Sequence, residues 1–204
     1  MTKTAAKPNP TKPILSKPNF STRVLTGPRT RFSYCHVWEP KSVNGGDPKY
    51  SMSVLIPKDD TETVEKIRSA IELAYREGEA KLKGKGPLPP LSALKTPLRD
   101  GDLDRPGDPA YAGCWFLNAN AEKAPGIVDA HAKPILDRSE VYSGCYGRVS
   151  LTFFAFNTNG NRGIACGLNN IQKLRDGESL GGQMSAEEEF AGLEDDGDEE
   201  DFLN

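Results

Sequence analysis

The 204-residue chain contains no purely apolar run longer than four residues, of which Phe153–Phe156 is an example. A membrane-spanning helix needs about 20 consecutive apolar residues, so we expect no transmembrane segment. Residues 1–19 also lack an apolar block of about 7–15 residues, which a secretory signal requires. The mean hydropathy of -0.57 is low, which indicates that part of the chain does not fold into a core. We therefore expect a protein that remains in the cytoplasm.

Closely spaced metal ligands are also missing. The sequence has four cysteines with no C-x-x-C pair and two histidines, at Cys35, Cys114, Cys145, Cys166, His36 and His131. Structural zinc requires Cys and His in close pairs, and only Cys35 and His36 are adjacent. Two disulfides could form, but cytoplasmic thiols are normally reduced. We predict small buried hydrophobic residues and no metal.

Charge of each sign is absent from one end of the chain. No acid precedes Glu39, and no Lys or Arg follows Arg175. Residues 176–204 contain 12 acids, which leaves 26 basic against 29 − 12 = 17 acidic residues in the rest, a net charge of +9. A basic body thus precedes an acidic segment. Such charge blocks resist packing and commonly act as interaction tails, although a tail that only solubilises the chain is the alternative.

The prolines and glycines outline the domain organisation. We predict a disordered, basic, Pro-rich arm at 1–21, a folded domain at 22–182 and an acidic tail at 183–204. A capping box of Asp59 with Glu62, followed by apolar residues at helical spacing, predicts one amphipathic helix at about 60–82. Six prolines and four glycines in 83–110 predict a long irregular excursion without packed structure.

Period-two alternation predicts strands on both sides of this helix. Tyr50, Met52, Val54 and Ile56 stand at period two, so one face of this strand is apolar. Val149, Leu151, Phe153 and Ala155 alternate with Arg148, Ser150, Thr152, Phe154 and Phe156, and Phe153 is assigned to the core. Asn159-Gly160 is a favoured hairpin turn, with Ile164–Leu168 as the returning strand. Asn169–Leu174 fits either a short helix or a last strand. About five strands with one inserted helix suit a small, closed or partly open β-barrel with long loops.

Catalytic arrangements are scarce in this sequence. Neither G-x-x-x-x-G-K-[ST] nor G-x-G-x-x-G occurs, so a phosphate-binding nucleotide site is not expected. Asp100, Asp102 and Asp104 resemble half of a calcium loop, but the other EF-hand ligands are missing. A metal-dependent nuclease at these acids is the enzymatic alternative, whereas a hydrated acidic loop is the interpretation that we favour. We predict that the protein is not an enzyme and has no cofactor.

Aromatic and cationic residues are interleaved in several places. Arg29 and Arg31 come just before Phe32 and Tyr34, Trp38 precedes Lys41, and Lys49 adjoins Tyr50. Single-stranded nucleic acid is bound by this combination, in which cations follow the phosphates and bases stack on rings. Any particular ring could equally lie in the core of the barrel.

Four segments together resemble one known family. They are S-V-N-G-G-D-P-K-Y at 42–50, L-K-T-P-L-R-D-G-D at 94–102, V-Y-S-G-C-Y-G-R at 141–148 and G-I-A-C-G-L-N-N-I-Q-K at 163–173. In this order they resemble the phage single-stranded-DNA-binding proteins, over about residues 22–193. The resemblance implies a mainly β, OB-fold-like five-stranded barrel that coats single-stranded DNA in phage replication or recombination, with an acidic C-terminal tail.

The interleaved cations and rings, together with the family resemblance, give the predicted DNA contacts. For phosphates we predict Arg29, Arg31, Lys41, Lys49, Arg99 and Arg148, and for bases Tyr34, Trp38, Tyr50, Trp115, Tyr142 and Tyr146. The expected partners are single-stranded DNA and, through the tail, replication or recombination proteins, while duplex DNA binding stays open. The expected location is the cytoplasm of an infected bacterium. The alternative is a phage structural or assembly protein that binds other proteins and no DNA.

Overall fold

The computed structural model describes residues 21–42, 45–158 and 160–181. Eight strands in these ranges form one sheet. They are β1 (Arg23–Leu25), β2 (Thr30–Lys41), β3 (Lys49–Pro57), β4 (Arg99–Asp100), β5 (Cys114–Ala121), β6 (Gly126–Val128), β7 (Tyr146–Thr158) and β8 (Asn161–Arg175). The helices are α1 (Thr61–Glu77), α2 (Glu79–Lys83) and α3 (Gly101–Asp104), with 3₁₀ turns at Leu91–Ala93, Pro109–Tyr111 and Arg138–Glu140.

The five long strands close into a barrel. Antiparallel pairings join β7 to β2, β2 to β3, β3 to β5 and β8 to β7, and a parallel pairing of β5 with β8 completes the ring. The predicted mainly β barrel is confirmed. The three further strands, β1, β4 and β6, have only two or three residues. Each pairs with one long strand of the ring: β1 with β7, β4 with β5 and β6 with β8. Strands this short carry no periodicity from which they could be predicted.

Alternation places one face of each long strand in the core. Met52, Val54 and Ile56 of β3 are buried together with Phe153 of β7, as predicted. Ile164–Leu168 is the returning strand, and the strand pairing extends to Thr158 and Asn161, on either side of the predicted turn. Asn169–Leu174 is strand, because β8 continues to Arg175 and pairs with β6.

The helical region differs from its prediction. α1 begins near the predicted start, but its cap is Asp60 and not Asp59: the Asp60 side chain accepts from the backbone N–H of Thr63. The buried residues of α1 include Val64, Ile67 and Ile71. The single helix predicted over 60–82 is nevertheless interrupted at Gly78, where α1 ends and α2 begins one residue later. A Cβ at Gly78 would lie 2.1 Å from the Cβ of Ala155. The interruption therefore occurs where the chain passes directly over β7.

The prediction that 83–110 lacks packed structure is wrong. Leu91, Leu94 and Leu98 are half-buried against the core, and β4 pairs with β5. The carbonyl of Lys95 accepts a hydrogen bond of 2.8 Å from the N–H of Ile164 on β8. Short pieces of this segment thus acquire partners one at a time, from strands distant in sequence.

Three other expectations concern the cysteines, the membrane and the ends of the chain. Cys145 and Cys166 are buried, whereas Cys35 and Cys114 are half-buried, and all four are free thiols. None of the helices in the described ranges is both long and apolar enough to cross a membrane. Apart from Ser21, the predicted arm at 1–21 lies outside the described residues, and so does the predicted tail at 183–204.

Candidate nucleic-acid interface

A row of small and polar residues crosses the outer face of the barrel. Register pairs link His36 on β2 to Ser51 on β3, Ser51 to Asn120 on β5, Asn120 to Gly167 on β8, and Gly167 to Thr152 on β7. Their neighbours along each strand, among them Val37, Met52 and Ala119, are buried in the core. Side chains alternate between the faces of a strand, so the row faces outward. We call these five residues the open row.

Four strand spacings separate the ends of the open row, which is roughly 19 Å along the sheet. None of the five side chains is large, and Gly167 has none. The row therefore forms a floor that an extended polymer can approach closely. The pKa of His36 is lowered by burial and by the nearby charge of Lys41, so its imidazole is neutral at pH 7 and leaves the floor uncharged.

An exposed aromatic ring stands near each end of this floor. Tyr34 of β2 is 52% exposed and Phe154 of β7 is 47% exposed. Tyr34 has φ 46° and lies where the β2–β3 register shifts between Ser33 and His36. Bulges of this kind redirect a side chain and are common beside binding sites, and a residue in a sparsely populated conformation is often functional. The bulge turns Tyr34 out of the sheet.

Beside Phe154 the open row widens into a groove of about 590 Å³. Lys49 and Lys123 line it together with Asn120 and Asn169, and Glu122 also lines it. The Asn169 amide donates to Thr152 Oγ1 at 2.9 Å, which fixes its orientation between β7 and β8. Among the described residues no other ring stacks on Phe154 and no cation lies over it. Its face is free to receive a base, with cations nearby for phosphates.

The other half of the same face is covered. Leu55 of β3 and Phe116 of β5 point outward as a register pair and are buried by Tyr111. The Tyr111 ring packs edge-on against Phe116 with centroids 4.9 Å apart, and its hydroxyl lies 3.0 Å from Ser53 Oγ. We call residues 99–113 the cover. Arg105 of the cover lies 5.7 Å from the Tyr34 ring centroid, at the boundary with the open row.

The three aspartates of the predicted acidic loop belong to this cover. Lys58 Nζ contacts Asp100 at 2.6 Å and Asp102 at 2.7 Å, and Arg99 Nε contacts Asp104 at 2.7 Å. Hydrogen bonds from Lys58 and from the Gly113 N–H lower the pKa of Asp102. The Lys58 pairs connect the cover to the end of β3, and the Arg99–Asp104 pair lies within the cover. No cluster of three metal-ligating side chains occurs within the described ranges.

A second group of predicted contacts lies under residues 176–181, which we call the strap. The Arg31 guanidinium donates to the carbonyl of Glu178 at 2.8 Å, and the Tyr142 hydroxyl donates to the carbonyl of Gly177 at 2.9 Å. The Tyr146 ring lies between Arg31, at 5.4 Å from its centroid, and Arg175, at 3.7 Å. The structure thus brings together Arg31, Tyr142 and Tyr146, three of the predicted DNA contacts, beneath the backbone of the strap.

The strap ends beside the open row. Its Leu180 N–H donates to the carbonyl of Ser143 at 2.8 Å, and the Leu180 side chain packs against the cluster of Leu55, Tyr111 and Phe116. Leu180 and Gly181 line a cleft of about 250 Å³ with Tyr34 and His36. The surface beneath the strap and the open row are therefore neighbours.

The remaining predicted site residues are distributed as follows. Lys41 and Lys49 are exposed and form a register pair at the base of the β2–β3 loop. Tyr50, the next residue of β3, is half-buried and points inward. Arg99 lies over the Phe116 ring, and Arg148 donates to Gln172 on β8. Trp38 donates to the Val141 carbonyl and packs on the core.

Arg29 pairs with exposed Asp59, next to the start of α1. Trp115 lies between Lys58 and Arg68 on the inward register. Arg29 and Trp115 are thus not part of the open row.

Sequence reasoning did not select Phe154, Lys123, Asn120 or Asn169. A signal for Phe154 was present, because assigning Phe153 to the core places the next residue outside. Lys123 follows the end of β5 and has no aromatic neighbour in sequence, so interleaving did not identify it. The asparagines are neither cationic nor aromatic, and only the register reveals that they border the groove.

Comparisons with known proteins place this geometry among phage proteins. The family model described as Enterobacter phage Enc34, ssDNA-binding protein, matches residues 22–203. The putative protein p50 of Acyrthosiphon pisum secondary endosymbiont phage 1 is 31% identical over 172 residues, which is 80% of this chain and 90% of that protein.

Solved structures share the fold. The single-stranded DNA-binding protein from bacteriophage Enc34, in complex with ssDNA, has a TM-score of 0.67 and 26% identity, over 78% of this chain and 90% of that one. A single-stranded DNA binding protein encoded by bacteriophage T7 has a TM-score of 0.56 and 15% identity, over 79% of this chain and 96% of that one. The second similarity concerns the fold alone.

Proposed function

We propose that this chain, which belongs to the single-stranded-DNA-binding protein family of Enterobacter phage Enc34, binds single-stranded DNA along the open row. The observation that carries the proposal is a floor of small residues with exposed rings, Tyr34 and Phe154, near its two ends. In five-stranded barrels of this type, the face of the second and third strands and the adjoining loops bind oligonucleotides. The open row crosses β3 and β5, which hold those positions here.

The same chemistry argues for binding without sequence preference. Every base has a face that can stack on an aromatic ring, and the cations at Lys49 and Lys123 would meet phosphates that all sequences share. Such a protein coats and protects DNA during phage replication or recombination. It performs no catalysis itself, and it acts in the cytoplasm of the infected bacterial host.

The acidic residues that follow position 182 give this proposal a regulatory part. A tail of ten acids, tethered to a body of opposite charge, reaches a high effective concentration near the binding face. We propose that the tail competes with DNA for that face. Its Phe190 and Phe202 are also suitable hydrophobic anchors for a replication or recombination protein of the phage or host. A pull-down from infected cells tests the second role, which is contradicted if the truncated chain retains every partner.

The first experiment is a fluorescence anisotropy titration of a labelled oligothymidine at several salt concentrations. We expect tight binding that weakens with salt. The K49A/K123A variant should bind less tightly, and its log–log salt slope should fall by about 0.7 for each phosphate that the variant no longer neutralises. The matched control is K66A/R76A, because these two cations lie on α1 and pair with Glu62 and Glu72.

Truncation after residue 182 tests the tail in the same titration. Competition predicts tighter binding by the truncated chain, and unchanged affinity contradicts it. An unlabelled duplex of the same length, added as competitor, measures any preference for single strands. If neither the full nor the truncated chain binds the oligothymidine, the DNA-binding function is wrong and the assembly-protein alternative takes its place.

A further inference from the structure

The strap presents oxygen acceptors to the cations and to the phenol hydroxyl beneath it, and its Gly177 N–H also donates to that hydroxyl at 3.4 Å. The Asp176 carboxylate lies 2.7 Å from Lys173 Nζ and 3.3 Å from the Tyr142 hydroxyl. The carbonyls of Gly177 and Glu178 accept from Tyr142 and Arg31. Ammonium, guanidinium and phenol groups beside aromatic rings are what a phosphate backbone with stacked bases would contact.

Two glycines allow the backbone of the strap to pack closely against the segment beneath it. A Cβ at Gly177 would lie 2.3 Å from the Gly144 carbonyl oxygen and 2.7 Å from Cε2 of Tyr146. Gly144 itself has φ 128°, and a Cβ there would lie 2.1 Å from the Glu178 carbonyl oxygen. The two segments can therefore be this close only without side chains at both positions. A side chain at Gly177 would lift the strap without changing any charge.

We infer that the surface beneath the strap, formed by Arg31, Tyr142, Tyr146 and Lys173, is a second segment of the single-stranded-DNA site, which the strap occupies until DNA displaces it. The inference rests on the proposed function. The cleft shared by Leu180, Gly181, Tyr34 and His36 makes this surface continuous with the open row. A strand that leaves the row past Tyr34 would reach Arg31 and Tyr146 next.

Occupancy by the strap differs from competition by the acidic tail. Two of its contacts are made by backbone carbonyls, so removing charge from the tail leaves them in place. Lifting the strap, in contrast, would expose two rings and their cations while the tail keeps all its acids. The two mechanisms can therefore be separated by substitution at one glycine.

The test is the G177V substitution in the full chain, compared with G86V. An added Cβ at Gly86 has no atom within 4 Å apart from its chain neighbours, and Gly86 lies outside the strap and the cover, so G86V leaves the strap seated. We expect G177V to bind oligothymidine about fivefold or more tightly, the lower limit of what one stacked base contributes. Its salt slope should steepen by about 0.7 for each additional phosphate that is neutralised. Adding Y146A to G177V should abolish the tighter binding.

Hydrogen exchange on the unmodified chain gives an independent measurement if G177V folds poorly. The Leu180 N–H is bonded to Ser143, and we expect its exchange to accelerate when saturating oligothymidine displaces the strap. Unchanged protection of Leu180 with DNA bound would overturn the inference. So would equal or weaker binding by folded G177V, or an equal increase in affinity in G86V. Failure of the unmodified chain to bind oligothymidine would instead overturn the proposed function.

Discussion

The chain itself covers one end of the outer face of β2, β3 and β5 and leaves the other end open. At one end, Leu55 and Phe116 are buried beneath Tyr111 and the rest of the cover. At the other end, Ser51 and Asn120 form another register pair of the same two strands, and Asn120 lines the open groove. The strands, their twist and their pairing are shared, so the side chains decide which end is closed.

This contrast indicates how a binding face can be recognised in a small barrel. Apolar side chains on an outer face gain free energy from being covered, so the chain supplies a segment to cover them. Small polar side chains gain little from being covered, and they leave the backbone accessible to a ligand. An uncovered polar row bordered by exposed rings is therefore where we expect an extended partner to bind.

The greatest change in stability is expected at the covered end. Replacing Phe116 with Ala should lower the free energy of unfolding by about 3–5 kcal/mol, because the ring is fully buried and packs on Tyr111. Ser51→Ala, at the open end of the same face, should change it by less than about 0.5 kcal/mol. Urea unfolding measures both. Similar losses at the two positions would contradict the division of the face.

The next effect concerns ligand binding at the open end. Phe154→Leu and Tyr34→Leu should each weaken oligothymidine binding by about 1–3 kcal/mol, the contribution of one stacked base, with little effect on the melting temperature. Phe154→Tyr retains the ring and should bind normally. Leu136→Ala is the control for loss of an exposed apolar side chain, since Leu136 is 87% exposed and lies apart from the open row. Equal weakening by Phe154→Tyr would show that the ring does not stack.

Alternation made the barrel predictable from sequence. Period two identified the core sides of β3 and β7, and about five strands with one helix suited a small barrel, but the order in which the strands pair was not predicted. The same parity could have separated Trp115 from Phe116, because these neighbours point to opposite faces. The prediction chose Trp115 for its residue type, and parity assigns it to the inward face instead.

Contacts between segments distant in sequence were not predictable. The 83–110 segment reads as irregular because β4 has only two residues and Lys95 contributes one backbone bond to β8. Arg31, Tyr142 and Tyr146 were selected as an accessible surface. Nothing in their local sequence reveals that residues 176–181 return across them, since the strap binds largely through backbone carbonyls.

A smaller effect distinguishes the two parts of Tyr111, its ring and its hydroxyl, in holding the cover. Tyr111→Phe keeps the packing on Phe116 but removes the hydrogen bond to Ser53, and should cost about 0.5–1.5 kcal/mol of unfolding free energy. The Ser53→Ala variant completes a double-mutant cycle, in which the two losses should not add. Additive losses would mean that the hydroxyl stabilises the cover through another group.

The weakest effect is the pH dependence of the cover. The pKa of Asp102 is lowered below its ordinary value of 3.8 by hydrogen bonds from Lys58 and the Gly113 N–H. A carboxyl whose pKa is lower in the folded state contributes stability that is fully present above the unfolded-state pKa and is lost as the pH falls through the folded-state pKa. Acidification from pH 5 towards pH 2, on the order of this window, should therefore loosen the cover.

Hydrogen exchange of the Gly113 N–H, which donates to Asp102 at 2.8 Å, measures this loosening locally. After correction for intrinsic exchange rates, its protection should fall with acid in the native chain and change less in Asp102→Asn, whose side chain does not titrate. Asp59→Asn is the matched control, because the pKa of Asp59 is also lowered, by Arg29, outside the cover. If Asp59→Asn flattens the Gly113 profile as much as Asp102→Asn does, acid acts on the whole barrel. The two ends of the face would then share one stability and differ only in access to ligand.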